Sequence, residues 1–276
     1  MAVEVFNRCE KKYLLNEEQY RRILCEIAGY MDYDVYNSDG SVYKICNIYY
    51  DTENDELIRR SIEKPVYKEK LRVRSYGKPG LEDKVFVEIK KKYKGIVNKR
   101  RTAMRLGDAY GYLDGLLHKE DIAEHNEGIN RQVLDEIDYF KKIYKLVPKL
   151  YLSYDRVAYV GKEDSSFRVT FDTNITTRRY DVRLEEGSYG ELLLPKDVHL
   201  MEIKINGAVP IWFTKIISRL NIYPASFSKY GTEYMTRVAA SSKTIIGKGE
   251  KQCLNQYSQQ QQTILSKSLQ RLWESA

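Results

Sequence analysis

Tyr67–Met104 reads YKEKLRVRSYGKPGLEDKVFVEIKKKYKGIVNKRRTAM, and the way its charges alternate decides how the rest of the chain must be arranged. Side chains alternate across a β-strand, so Lys68, Lys70, Arg72 and Arg74 share one face while Tyr67, Leu71 and Val73 share the other. Gly77-Lys78-Pro79-Gly80 is a turn, and a second strand repeats the device with Glu88, Lys90 and Lys92 opposite Val85, Val87 and Ile89. Past Lys94-Gly95 a third run aligns Lys99, Arg101 and Arg105. Like charges facing one another on neighbouring strands destabilise a sheet. Three cationic strands in succession therefore call for an anion of high charge between them.

A solvated outer face is the ordinary explanation of a charge run. Arginine at alternate positions, as in Arg72 and Arg74, favours a grip on phosphate, because a planar guanidinium holds an oxyanion at two points. Glu88-Ile89-Lys90 and Glu202-Ile203-Lys204 each set a carboxylate among the cations, which a divalent metal would need.

The 276 residues carry a formal charge of +7, which points to an anionic partner without naming it. Aromatics are not interleaved with the cations for base stacking and no helix is continuously basic, so nucleic acid is not the expected partner. There is no apolar run of transmembrane length and no signal peptide, so a soluble, cytoplasmic protein is expected. Cys9, Cys25, Cys46 and Cys253 lack metal-ligand spacing and read as reduced thiols.

One domain over residues 1–238 is expected, followed by a polar, Gln-rich tail over 239–276 made of a linker and a marginal helix ending near Trp273. Within the domain, residues 3–14 alternate as a strand. Asn16 and Gln19 form a capping-box pattern ahead of a helix whose stripe is Tyr20, Ile23, Leu24 and Ile27. A tyrosine-rich strand over 42–51 and a short helix over 53–62 lead into the basic strands. Helices are expected over 107–117 and 131–147, with Pro148 as the stop and a polar loop around His125 between them. Strands over 150–160 and 167–173 follow, then a strand at 199–206, a helix opened by Pro210 and another through Val238. His118, His125 and His199 share no ligand spacing and are expected at the surface.

About eight strands, most with one charged and one apolar face, satisfy both faces by closing into an antiparallel β-barrel with a polar lumen and helices packed outside, an α+β fold. The lumen would gather Lys12, Lys70, Arg72, Arg74, Lys90, Lys99, Arg101, Arg156, Arg168, Lys204 and Lys229, with Glu10, Glu88 and Glu202 among them.

With these residues in view, the chain resembles the vacuolar transporter chaperone (VTC) domain, a polyphosphate polymerase of the CYTH-like triphosphate tunnel superfamily, in its short bacterial form. The carriers are RCEKKY at 8–13, LRVRSYG at 71–77, VFVEIKK at 85–91, NKRR at 98–101, YDRVAY at 154–159, RVTFDT at 168–173, MEIK at 201–204 and SFSKY at 226–230. The resemblance implies that Lys12, Arg72, Arg74, Lys90, Lys99, Arg156 and Arg168 bind phosphate, that Ser228 and Lys229 add a further contact, and that Glu202 holds the metal, Mn2+ or Mg2+. Arg8 stands where the tunnel hydrolases begin their ExExK string with glutamate, and Ser226 where the eukaryotic polymerase pattern has lysine. The implied activity is transfer of the terminal phosphate of ATP or another nucleoside triphosphate to inorganic polyphosphate. Hydrolysis of a triphosphate by the same fold, and silent binding of polyphosphate or inositol phosphate, are the alternatives. The resemblance is compatible with a membrane-protein partner, for which the sequence holds no mark.

Overall fold

The computed structural model describes residues 8–37, 40–94 and 96–246. Expectations for residues 3–7 and for the tail at Cys253, 259–262 and Trp273 lie outside them. The described residues form two compact units, one drawn from Met1–Tyr36, Ala158–Phe171 and Pro195–Ala276 and the other from Asn37–Val157 and Asp172–Leu194. In chain order the elements are β1 (Arg8–Leu15), α1 (Glu17–Ile27), β2 (Met31–Tyr33), β3 (Tyr43–Thr52), α2 (Glu56–Ile62), β4 (Tyr67–Tyr76), β5 (Lys84–Tyr93) and β6 (Ile96–Arg105). They continue with α3 (Leu106–Leu113), α4 (Lys119–His125), α5 (Arg131–Ile143), β7 (Leu146–Gly161), β8 (Arg168–Arg178), β9 (Glu191–Leu192), β10 (His199–Asn206), α6 (Ile211–Arg219) and α7 (Lys229–Ile246). Strands are hydrogen-bonded in the order β1-β10-β8-β7-β3-β4-β5-β6, with β2 on β7 and β9 on β8.

In the second unit, β3 to β6 form the antiparallel ladder that the alternating charges predict. Gly77, at φ 78°, makes the β4–β5 turn in a left-handed conformation that glycine adopts without steric cost. Leu71, Val73, Val85, Val87, Ile89 and Met104 are buried on one face, in a core shared with Leu106, Ala109 and Tyr112 of α3 and Val133, Leu134, Ile137 and Phe140 of α5. Covering that face removes the apolar side chains from water, at roughly 25 cal/mol per Å2, and leaves the charged face of the same strands as a surface of its own. The helix-facing cations are tied down separately: Lys91 Nζ donates to Glu136 Oε2 at 2.8 Å, and Arg100 pairs with the same carboxylate. At the edge of the ladder α2 is capped from a distance, since the Asp51 carboxylate accepts from the amides of Leu57 and Ile58 at 2.8 and 3.0 Å.

In the first unit, β1 and β10 pair antiparallel, from Arg8 opposite Asn206 to Leu15 opposite His199. Asn16 and Gln19 form the reciprocal capping box at the start of α1, and Ile23 and Ile27 are buried. Tyr30 stacks on Trp212 of α6 at 4.2 Å.

The expected closed eight-stranded barrel is corrected: among the described residues no ladder joins β6 to β1, and the sheet has two ends. The free strand β6 carries the exposed cations Lys99 and Arg101 on one face, and charge at a strand edge opposes further pairing. Four local expectations also change. The helix expected over 131–147 ends at Ile143, and Pro148 lies inside β7 at its register shift against Tyr50, a bulge being one of the few strand positions that tolerates a missing N–H. The loop expected near His125 contains α4. His199, expected at the surface, is buried, stacked on Tyr20 at 3.9 Å with its Nε2 2.7 Å from Glu17. α7 runs past Val238 to Ile246, so the expected tail boundary falls within a helix. No helix among the described residues is long and apolar enough to cross a membrane.

Candidate functional site

The register of the second unit turns its sequence pattern into rows. Tyr49, Arg72, Glu88 and Arg101 lie side by side across β3, β4, β5 and β6. The next row on the same face is Lys70, Lys90 and Lys99, three ammonium-bearing residues directly opposite one another. The row on the other side is Asn47, Arg74, Phe86 and Ala103. Directly opposed Cβ atoms are about 5 Å apart, so this face concentrates cations as densely as a sheet allows.

Glu88 holds the centre. Its side chain is 1% exposed, with Arg72 Nη2 at 2.6 Å and Lys99 Nζ at 2.7 Å, and with Arg74 and Arg101 each at 3.9 Å. Burial alone would push its carboxyl up, but Arg72, Arg74 and Lys99 outweigh burial and bring it down to about 2. The ammonium of Lys99 is pushed down to about 8 by burial, in spite of Glu88, with Arg72 and Arg74 adding to the fall. Although 38% of its side chain is exposed, its ammonium reaches inward to Glu88. Glu88 also fixes its neighbour's shape: Arg72 Nε donates to Oε2 at 2.7 Å while Nη1 donates to the Tyr49 hydroxyl at 3.1 Å. Burial pushes the Tyr49 phenol up, but Arg72, Lys70 and Arg74 bring it down to about 8.

Arg74 is set by neutral groups. Its Nε donates to Asn47 Oδ1 at 2.9 Å and its Nη2 to the Tyr154 hydroxyl at 3.3 Å, while Asn47 is itself fixed by donating to Leu152 O at 3.0 Å. Arg101 lies over the Phe86 ring at 4.3 Å. Arg156 of β7 is gripped at two points by Asp172, Nε to Oδ1 at 2.5 Å and Nη2 to Oδ2 at 2.7 Å, with Asp172 fully buried. Of the residues expected in this cluster, Arg72, Arg74, Lys99 and Arg101 thus meet around Glu88, Lys70 and Lys90 complete the adjoining row, and Arg156 stands on the same sheet with a carboxylate of its own.

The first unit holds a second cluster. On one face of the β1–β10 ladder Glu10 lies opposite Lys204 and Lys12 opposite Glu202, a checkerboard of two carboxylates and two ammoniums. Lys12 Nζ is 3.5 Å from Glu10 and 3.4 Å from Glu202, and donates to Phe227 O at 3.1 Å. Lys229, the first residue of α7, reaches Glu202 at 3.3 Å, and Lys204 lies at 3.7 Å. Ser228 precedes α7 and its hydroxyl accepts from the amide of Gly231 at 3.3 Å, the role of a helix cap. Arg168 of β8 pairs with the buried Asp34.

Among the described residues no three His, Cys, Asp or Glu side chains gather as a metal cage. Glu10 and Glu202 place two hard oxygen donors on one face, the donor type that Mg2+ or Mn2+ takes alongside phosphate and water. Lys12, Lys204 and Lys229 stand within 3.7 Å of Glu202, so a metal there would have to displace or share these ammoniums. Glu88, expected with them, has its two oxygens taken by Arg72 and Lys99, and its surroundings are already cationic.

Sequence reading missed Tyr49, Asn47, Tyr154 and Asp172 as the groups that aim the arginines. The signal was present for the first two, since Asn47 and Tyr49 alternate with the buried Cys46, Ile48 and Tyr50 on β3.

Two solved structures are similar to the chain at low sequence identity. One is the Hippeastrum protein HpAC1, described by its dominant triphosphatase activity, at 14% identity and TM-score 0.48, covering 80% of this chain and 92% of that one. Another is the PH1819 protein of Pyrococcus horikoshii OT3, at 11% identity and TM-score 0.44, covering 83% and 99%. No curated protein sequence matches. The VTC domain family model matches residues 7–237, which span both clusters, and the chain therefore belongs to the VTC domain family.

Proposed function

We propose that this protein is a polyphosphate polymerase that transfers the terminal phosphate of ATP to a growing inorganic polyphosphate chain. Membership of the VTC domain family supports a polyphosphate-related phosphoryl transfer. The observation that carries the finer reading is the Lys70, Lys90 and Lys99 row beside the Arg72, Glu88 and Arg101 row. A face so charged needs a polyanion to offset its own repulsion.

Phosphoryl transfer through a loose, metaphosphate-like transition state asks for positioning and charge neutralisation, with no protein nucleophile. Arg72 and Arg74 are the candidates for gripping the donor phosphates. The contacts of Arg72 engage Nε, Nη1 and Nη2 once each, out of the five N–H groups a guanidinium carries, and Arg74 Nη1 has no hydrogen-bond partner among the described residues. Both heads are therefore held in one orientation before the substrate arrives. In the second unit Lys90 and Arg156 are proposed for transfer and Lys70, Lys99 and Arg101 for binding; in the first unit Arg168 is proposed for transfer and Lys12, Lys204, Ser228 and Lys229 for binding. Glu202 with Glu10 would hold Mn2+ or Mg2+, which supplies charge neutralisation at phosphate oxygens when bound. A cytoplasmic setting is part of the same proposal.

The test is to incubate the protein with ATP and Mn2+ and resolve the products. ADP together with an acid-labile polymer supports the proposal, whereas ADP and free phosphate alone identify a triphosphatase.

A further inference from the structure

The cationic face does not stop at the Lys70–Lys90–Lys99 row. One step further along the same strands, Lys68 of β4 lies opposite Lys92 of β5, about 7 Å from the row before. Burial lowers the Lys68 ammonium below its ordinary range, and the charges of Lys92, of Lys64 in the connection just before β4, and of Lys90 add to the fall. Lys68 spends one N–H on Ser61 O at 3.0 Å. Among the described residues no carboxylate lies within ion-pairing distance of Lys64, Lys68 or Lys92, in contrast to Lys99, which Glu88 neutralises. The connections at this end are also held in place. Lys64 and Lys94 both take left-handed backbone, at φ 55° and 45°, a conformation that residues with a Cβ adopt only where the surroundings fix it. The Lys94 amide donates to Val66 O at 2.9 Å, tying the two connections together.

We infer that Lys64, Lys68 and Lys92 form a separate anion subsite that holds the body of a polyphosphate chain, beyond the groups that bind a triphosphate. The inference rests on the proposed function for the identity of the polymer. It also relocates the path of the chain: cations without local carboxylates continue along β4 and β5, while Lys99 is committed to Glu88. A triphosphate bound at Arg72 and Arg74 is served by the rows around Glu88, and only a longer polyanion gains by reaching Lys68 and Lys92.

The experiment compares binding of tripolyphosphate and of long-chain inorganic polyphosphate by titration calorimetry across a salt series. It uses the unmutated protein, Lys68→Gln/Lys92→Gln, and the charge-matched control Lys196→Gln/Lys215→Gln, whose lysines are exposed in the other unit. For the long chain, the double variant is expected to lose affinity about tenfold and to reduce the slope of log K against log salt by about two. Its tripolyphosphate affinity is expected to match that of the control. Equal losses for the two ligands, or no loss for either, would overturn the subsite. An equal loss for an oligodeoxythymidylate would also overturn it, by marking a general anion surface. Because the readout is binding, a protein that only hydrolyses triphosphate could still show the length-dependent loss, so failure of the polymerase reading and failure of the subsite are told apart.

Discussion

Glu88 and Arg72 face each other across the β4–β5 ladder, and the carboxylate that neutralises the guanidinium also takes the ammonium of Lys99 on the next strand. One buried negative charge thereby holds two cations from neighbouring strands. Removing it leaves those cations to repel one another at short range.

Glu88→Gln is accordingly expected to lower stability by about 3–5 kcal/mol, the usual cost of breaking a buried ion pair from one side. Urea unfolding measures it. The effect has a pH signature. The folded carboxyl titrates near 2 against an ordinary 4.5, so its stabilisation is complete above pH 4.5 and is lost as the pH falls from there towards 2. The variant should show a flatter stability profile across that window, and a profile parallel to that of the unmutated protein would contradict this account of Glu88.

Triphosphate affinity should fall as the pH rises through about 8, where Lys99 loses its proton and Tyr49 gains a negative charge. Glu88, held low by its cationic neighbours, and Arg72, held high by Tyr49 and Glu88 in spite of burial, keep their charge throughout that range. Lys99→Arg should remove one part of the fall, since guanidinium does not titrate there, and Tyr49→Phe the other. Calorimetric titration of tripolyphosphate from pH 6.5 to 9.5 reads both, and an unchanged profile in the two variants would assign the fall elsewhere.

The fork of Arg74 is aimed by Asn47 and Tyr154. Arg74→Ala is expected to abolish turnover. Arg74→Lys should restore little of it, because an ammonium cannot grip phosphate at two points while held at Asn47. Asn47→Ala is expected to lower turnover by about tenfold with the guanidinium charge intact, as for a group whose support is lost. Full activity in Asn47→Ala, measured as ADP release, would show that Arg74 needs no guide.

Glu202→Ala is expected to lose metal-stimulated activity. It is also expected to cost stability, because the nearly buried Lys229 and the ammonium of Lys12 both lean on that carboxylate. Comparing turnover with Mn2+, with Mg2+ and after chelation separates the two effects. A variant that keeps its metal response would remove Glu202 from the metal proposal.

The cationic strands were legible in the sequence because alternation of charge with Leu71, Val73, Val87 and Ile89 has a period that only a strand can use. Register followed from the same pattern, as a one-residue slip would bury Arg72 or Lys90 in the core. The neutral supports were less legible. Asn47 and Tyr154 act through contacts between β3, β4 and β7, and their separation in the chain says nothing of that. Pro148 misled for a physical reason: it ends a helix in most settings, but here it sits where β7 slips against β3. His199 looked like a surface residue because its partners, Tyr20 and Glu17, lie on α1, far away in the chain.

The measurement that tests the central claim most directly follows the terminal phosphate of radiolabelled ATP, with Mn2+ present, in the unmutated protein and in Arg74→Ala. The account predicts that label lost from ATP appears in an acid-labile polymer in step with ADP, and that Arg74→Ala forms neither product. Label recovered only as free phosphate would contradict the polymerase, and polymer formed at the unmutated rate by Arg74→Ala would contradict the site.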